Sequence, residues 1–153
     1  MAILKVAQIG SPVLREVSRE ITPDELVSDG FQQFLDDLLD TMIEYDGVGL
    51  AAPQVHVPLR VVVLVLTEER GPEFLINPRI TVLADTTRRT WEGCLSVEGF
   101  RGLVERPDHI RLESLDREGN ERILEVQGHG AVVIQHECDH LDGTLYVDRM
   151  MPR

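Results

Sequence analysis

His136-Glu137-Cys138-Asp139-His140 constrains this chain more than any other stretch, because two histidines four apart on a helix point the same way and can share one ion. On a helix of 3.6 residues per turn the imidazoles stand about 40° and one turn apart, and the intervening glutamate lies beside them, free to handle a water on the ion. Ala131, Val132, Val133 and Ile134 lead into the motif and Gly143 follows as a stop signal, so a buried helix starting near Gly128 is expected. The pattern points to hydrolysis by an activated water; the plainer alternative is a helix with two satisfied histidines.

A catalytic site of this kind has three protein ligands and an open position. A third histidine soon after the glycine is excluded, since Tyr146 stands there, and after His140 the only carboxylates are Asp142 and Asp148. The third ligand is therefore expected upstream, among Cys94, His56, His109, His129 and many carboxylates. Cys94 is favoured: a thiolate is a soft, charged ligand, and Glu92-Gly93-Cys94-Leu95-Ser96 gives it a glycine neighbour that permits close backbone approach. Cys138 lies about 200° round the helix from either histidine and reads as a small buried apolar residue.

A further stretch, Gly47-Val48-Gly49-Leu50-Ala51-Ala52-Pro53-Gln54, is small and apolar. Its glycine spacing fits neither a phosphate loop nor a dinucleotide site, so by itself it reads as a turn entering an extended segment.

The 153 residues suit one domain, 1–153, and 42% hydrophobic content supplies a core. A net charge of −12 disfavours nonspecific nucleic-acid binding. No membrane-length apolar run, no targeting segment and only two cysteines predict a cytoplasmic protein without a disulfide framework.

Thr22-Pro23-Asp24-Glu25 reads as a capped helix start, continued by Phe31, Phe34, Leu35, Leu38, Leu39 and Met42 to a stop at Gly47, with a break where Gly30 interrupts. Leu59 to Leu66, Phe74 to Ile76 and Ile80 to Leu83 read as strands, and Ile110 to Leu115 with Arg122 to Val126 as a hairpin. The expected fold class is α+β: antiparallel β-strands packed around a central metal-binding helix, plus an N-terminal helix.

In chain order, the Gly47–Gln54 stretch, Glu92-Gly93-Cys94-Leu95-Ser96 and Gln135-His136-Glu137-Cys138-Asp139-His140 resemble the three signature motifs of the peptide deformylase family. The resemblance runs from Pro12-Val13-Leu14-Arg15 to Asp148-Arg149. It implies a hydrolase of N-terminal processing that removes the formyl group from the formylmethionine of nascent polypeptides and releases formate. It assigns Cys94, His136 and His140 to one divalent metal, Fe(II) in the cell, with Zn(II), Ni(II) or Co(II) also suited to the donors. It makes Glu137 the proton carrier, and the Gln54 amide and Leu95 backbone N–H the donors to the developing oxyanion.

Helical spacing puts His129, Val132 and Val133 on the face of His136. With Val48, they are expected to surround the methionine side chain, while Gly49, Gly93 and Gly99 allow close approach of a peptide backbone. His129 replaces the apolar residue common in the family, and is expected to narrow or polarise the rim and to add pH dependence near neutrality. Glu92 and Arg101 match charged family positions and are expected to pair. Val97-Glu98-Gly99-Phe100-Arg101 looks like organellar and related bacterial members. Longer members carry a further helix associated with ribosome docking, so that partnership is not expected by the same route. The competing functions are a small zinc peptidase, which leaves Cys94 and Gln54 unexplained, and a metal-containing module that binds peptides without cleaving them.

Overall fold

The computed structural model describes residues 2–152. Its architecture is α+β, and the central element is an antiparallel sheet in the order β1-β2-β3-β6-β7. These strands are β1 (Gly49–Ala51), β2 (Val61–Val65), β3 (Pro72–Val82), β6 (His109–Leu115) and β7 (Glu121–Gln127). In β2 the residues Val61, Val62, Val63 and Leu64 are all fully buried, which explains the unbroken apolar run where a half-exposed strand would alternate. Val61 and Val63 point to one face and Val62 and Leu64 to the other, each into its own core.

A helix covers each face. Helix α2 (Asp29–Glu44) lays Phe31, Leu35, Leu38 and Met42 on the face that holds Val61, Val63, Phe74 and Ile76. Helix α3 (His129–Leu141) lays Ala131, Ile134, Cys138 and Leu141 against Val62, Leu64, Leu75, Ile110 and Leu112. Helix α3 thus has sheet on one side, and its other side meets a separate two-stranded ribbon, β4 (Thr87–Cys94) with β5 (Val97–Pro107).

Several boundaries differ from expectation. The Thr22 cap is real: its hydroxyl oxygen accepts from the Glu25 N–H and its hydroxyl donates to the Glu25 carboxylate. The helix that it starts, α1 (Pro23–Leu26), stops within a turn, and Ser28 then caps α2 by accepting from the Phe31 N–H. The break thus falls before Gly30, which sits inside α2. At the far end of α2, Asp46 takes the left-handed conformation (φ 56°), and the Gly47 N–H closes the helix on the Met42 carbonyl. Phe74–Ile76 and Ile80–Val82 belong to the single strand β3, which ends one residue before the expected Leu83 and whose register shifts between Ile76 and Arg79, around Asn77 (φ 52°). The Asn77 side chain holds the bend through two hydrogen bonds to the Ile21 backbone.

Helix α3 ends as the sequence indicates. Gly143 has φ 73°, and a Cβ there would lie 2.6 Å from the Arg15 carbonyl oxygen, so both its conformation and its lack of a side chain are required. Strands β4 and β5 carry no apolar alternation that could announce them; most of β4 is exposed on both faces. Between the pairs Cys94↔Val97 and Glu92↔Gly102, Gly93 alone stands opposite residues 98–101, and Gly99 (φ 81°) turns this outward bulge.

Candidate active site

The ribbon and α3 bring together side chains far apart in sequence. The candidate donor atoms of Cys94, at the end of β4, and of His136 and His140, on α3, all lie within 4.8 Å of one another. Cys94 Sγ is 3.5 Å from His140 Nε2. His136 Nδ1 lies 2.8 Å from Glu92 Oε1, and its Nε2 is left on the side of Glu137, 4.0 Å from Oε1. Committing Nδ1 to a carboxylate fixes the ring and leaves Nε2 as its ligand atom.

These residues suit a divalent cation. One sulfur and two imidazole nitrogens converge from two rigid elements, and that donor set is the one expected for zinc or ferrous iron. The charges agree. Burial works against a charged His136 ring, yet the neighbouring Cys94, Glu92 and Glu137 outweigh it and raise its pKa to about 10, so the site attracts positive charge. Burial, and then the charges of His136 and Arg106, hold His140 well below the ordinary histidine value, which keeps it a neutral donor. Its Nδ1 has no hydrogen-bond partner among the described residues.

Glu137 is buried beside the ligands, and its Oε2 likewise has no partner among the described residues. Burial pushes its carboxyl up to about 7, against the opposing pull of His136 and Arg106. A carboxyl poised near neutrality can both take and return a proton. Cys138 faces the α3 core, and burial pushes its thiol far above the ordinary range. Sequence spacing had separated it from the site for the same geometric reason.

Gln54 is buried in the 3-10 turn after β1. Its Oε1 accepts from the Ala51 N–H at 2.9 Å, while its amide donates to Ser96 Oγ at 3.1 Å and approaches Cys94 Sγ at 3.4 Å. Leu95 follows the cysteine, and its carbonyl accepts from the Gln8 side chain. Both residues line a cavity of about 670 Å³ that reaches Cys94, His136 and Glu137. Val48, Val132 and Val133 form part of its wall, Gly93 and Gly99 lie along the ribbon, and exposed His129 stands at the first position of α3.

Gly49 also borders the cavity, but its bare Cα faces Glu137: a Cβ would fall 2.6 Å from Oε1 and 2.8 Å from both Cδ and Cγ. The expected pairing of Glu92 with Arg101 is not formed. Glu92 binds Arg106 through two hydrogen bonds, of 2.7 and 3.0 Å, and Arg101 donates to the Trp91 carbonyl. Alternation along β5 is the cause, since Gly102, Val104 and Arg106 point inward while Arg101 sits on the exposed bulge. Sequence reasoning placed Asp139 in the motif but gave it no role, and it missed Arg106 and the exposed aromatic rim of Tyr45, Trp91 and Phe100. Polar β4 and β5 carried no strand signal from which to place that rim.

A helical His-Glu-x-x-His pair completed by a cysteine from another element, beside a buried carboxyl and an open cavity, defines a mononuclear metallohydrolase. The polypeptide deformylase model matches residues 3–153, and the chain belongs to that family, metal-dependent hydrolases that remove N-formyl groups from nascent polypeptides. It is 47% identical to a peptide deformylase of Cellvibrio japonicus (strain Ueda107), over 99% of this chain and 89% of that one. It superposes on the crystal structure of peptide deformylase from Thermotoga maritima with a TM-score of 0.93 at 34% identity, covering 99% and 100% of the two chains. A Met-ala-ser bound class I type b peptide deformylase from Acinetobacter baumannii gives 0.91 at 33% identity, covering 97% and 99%.

Proposed function

We propose that this chain is one catalytic domain that hydrolyses the formyl amide at the amino terminus of formylmethionyl peptides. The observation that carries the reading is the convergence of Cys94, His136 and His140 beside the buried carboxyl of Glu137, whose Oε2 has no partner among the described residues, on one cavity. The triad holds the ion, Fe(II) in the cell, with Zn(II), Ni(II) and Co(II) as substitutes. When bound, that ion polarises the formyl carbonyl and lowers the pKa of a neighbouring water.

Glu137 takes a proton from the attacking water and returns it to the amine nitrogen as the C–N bond breaks; the water oxygen leaves in formate. The Gln54 amide and the Leu95 backbone N–H donate to the carbonyl oxygen as negative charge builds on it. Glu92 keeps the His136 ring oriented, with its own carboxyl held at about 2 because the hydrogen bonds to His136 and Arg106 outweigh the opposing effect of burial. A formyl carbon carries only hydrogen, which favours it over larger acyl groups in a narrow cleft.

Val48, Val132 and Val133 offer apolar contact to the methionine side chain, with His129 at the mouth. Gly93 and Gly99 leave the ribbon bare where a peptide backbone can lie alongside it, and a peptide ligand agrees with the Met-ala-ser bound state of the Acinetobacter relative. A cytoplasmic site of action follows from this substrate, and association with the ribosome would bring the domain to it. Among the described residues no helix is long and apolar enough to cross a membrane.

The test is an anaerobic reaction of Fe(II)-loaded protein with a formyl-Met tripeptide, following formate and the internal peptide bonds together. Formate with intact peptide bonds supports the reading. Internal cleavage indicates the peptidase, and neither product, with metal bound, indicates a binding module.

A further inference from the structure

Beneath the ligands lies a chain of ion pairs that runs from the surface to a metal-binding ring. Arg149 makes two hydrogen bonds to Asp139, at 2.7 and 3.1 Å. Asp139 also accepts from Arg106 Nη1 at 2.9 Å. Arg106, with a side chain only 3% exposed, grips Glu92 with Nε and Nη2, and Glu92 accepts from His136 Nδ1. Every link is short, and two of them are two-pronged guanidinium–carboxylate contacts, the geometry that fixes orientation as well as distance.

The positions of these residues matter as much as the contacts. Glu92 is on β4, two residues before Cys94, and Arg106 is on β5; Asp139 is on α3, directly before His140. Arg106 is therefore the joint between the ribbon that carries the sulfur ligand and the helix that carries both imidazoles. The distance from Cys94 to the histidines depends on how these two elements are held together. Asp139 leaves one of its contacts to Arg149, which is about half exposed and anchors the pair from outside.

We propose that Arg106 is a positioning residue that sets the spacing of the three ligands and hence how tightly the ion is held, with Arg149 as its outer brace; this rests on the metal site proposed above. A lysine in place of Arg106 keeps the charge but cannot reach both carboxylates with a planar fork. Loss of outer contacts of this type lowers metal affinity about 10–100-fold.

The test uses Co(II) as both ligand and probe, with parent, Arg106→Lys and Arg149→Ala proteins titrated against a competing chelator. The expected result is roughly 10–100-fold weaker Co(II) binding in Arg106→Lys, with a shifted thiolate-to-cobalt absorption band, and a smaller loss in Arg149→Ala. The KM for a formyl-Met tripeptide, measured on fully loaded protein, stays at the parent value. Parent-like affinity and spectrum in Arg106→Lys, with only a lower melting temperature, would overturn the proposal, because the ion pairs would then brace the fold alone. Should Arg106→Lys fail to fold, Asp139→Asn decides the matter, because it weakens the helix side of the joint and leaves Glu92 on His136: weaker Co(II) binding supports the proposal and parental binding refutes it. A parent protein that takes up no Co(II) counts instead against the metal site itself.

Discussion

Gly49→Ala is the substitution whose outcome is most tightly determined by geometry. Gly49 lies in β1, paired with Leu64, at a backbone conformation any residue can adopt. Alanine there would ordinarily help, by about 0.4–1 kcal/mol, through a less flexible unfolded chain. The structure predicts the opposite sign. The new Cβ meets Glu137 Oε1 at 2.6 Å and Cδ and Cγ at 2.8 Å, whereas ordinary contact begins at 3.4 Å. Glu137 must retreat by about 0.8 Å, the difference between 3.4 and 2.6 Å. Turning the carboxylate does not relieve this, because Cγ is as close as the carboxylate carbon. A misplacement near 1 Å costs about 100-fold in rate, or about 2.7 kcal/mol of barrier. Crowding costs a further ~1–3 kcal/mol of stability. Steady-state deformylation with metal content and thermal melting measured on the same samples gives the answer: kcat falls about 100-fold with the ion still bound. A higher melting temperature with kcat within twofold of the parent would refute the reasoning.

Other positions give simpler tests. Gly30→Ala, inside α2 with open space around it, raises stability by up to ~1 kcal/mol in denaturant titration, and a loss would mean that the helix needs its glycine. Gly143→Ala, by contrast, must leave a left-handed conformation and meets the Arg15 backbone, so a loss of ~1–3 kcal/mol is expected in the same assay, with neutrality the refuting result. Cys94→Ser removes the soft donor, and equilibrium dialysis should show the chain failing to retain zinc under conditions where the parent holds one equivalent. Arg15 holds the Asp148 carboxyl below the usual range, so this contact stabilises above about pH 4 and is lost as pH falls through the folded value. Asp148→Asn should therefore flatten the acid limb of the melting profile, by less than about 1 kcal/mol for so exposed a pair. Parallel acid limbs would show that the pair contributes nothing.

What could be read from the sequence follows from how each element is buried. Helix α3 announced itself because its ligands, its apolar face and its Gly143 stop share one period. Strand β2 was visible as an apolar run because it is covered on both faces. The β4–β5 ribbon was invisible: it exposes most of its surface and bends at a glycine bulge, so neither alternation nor hydrophobicity marks it. The same gap misplaced the partner of Glu92, since choosing Arg106 over Arg101 requires knowing which side of β5 points inward. Gly49 was legible as a residue that needs a close neighbour, but the neighbour is Glu137, a contact between chain segments that no local pattern encodes.

The most direct test of the account compares formate release by the parent and Glu137→Gln proteins from a formyl-Met tripeptide, each anaerobically loaded with one equivalent of Fe(II). Glutamine keeps the size of the side chain and removes the proton-accepting carboxylate. The account predicts that the ion stays bound and that kcat falls about 10²–10⁴-fold. An undiminished rate in metal-loaded Glu137→Gln would contradict it, since the buried carboxyl beside His136 would then have no part in moving the proton.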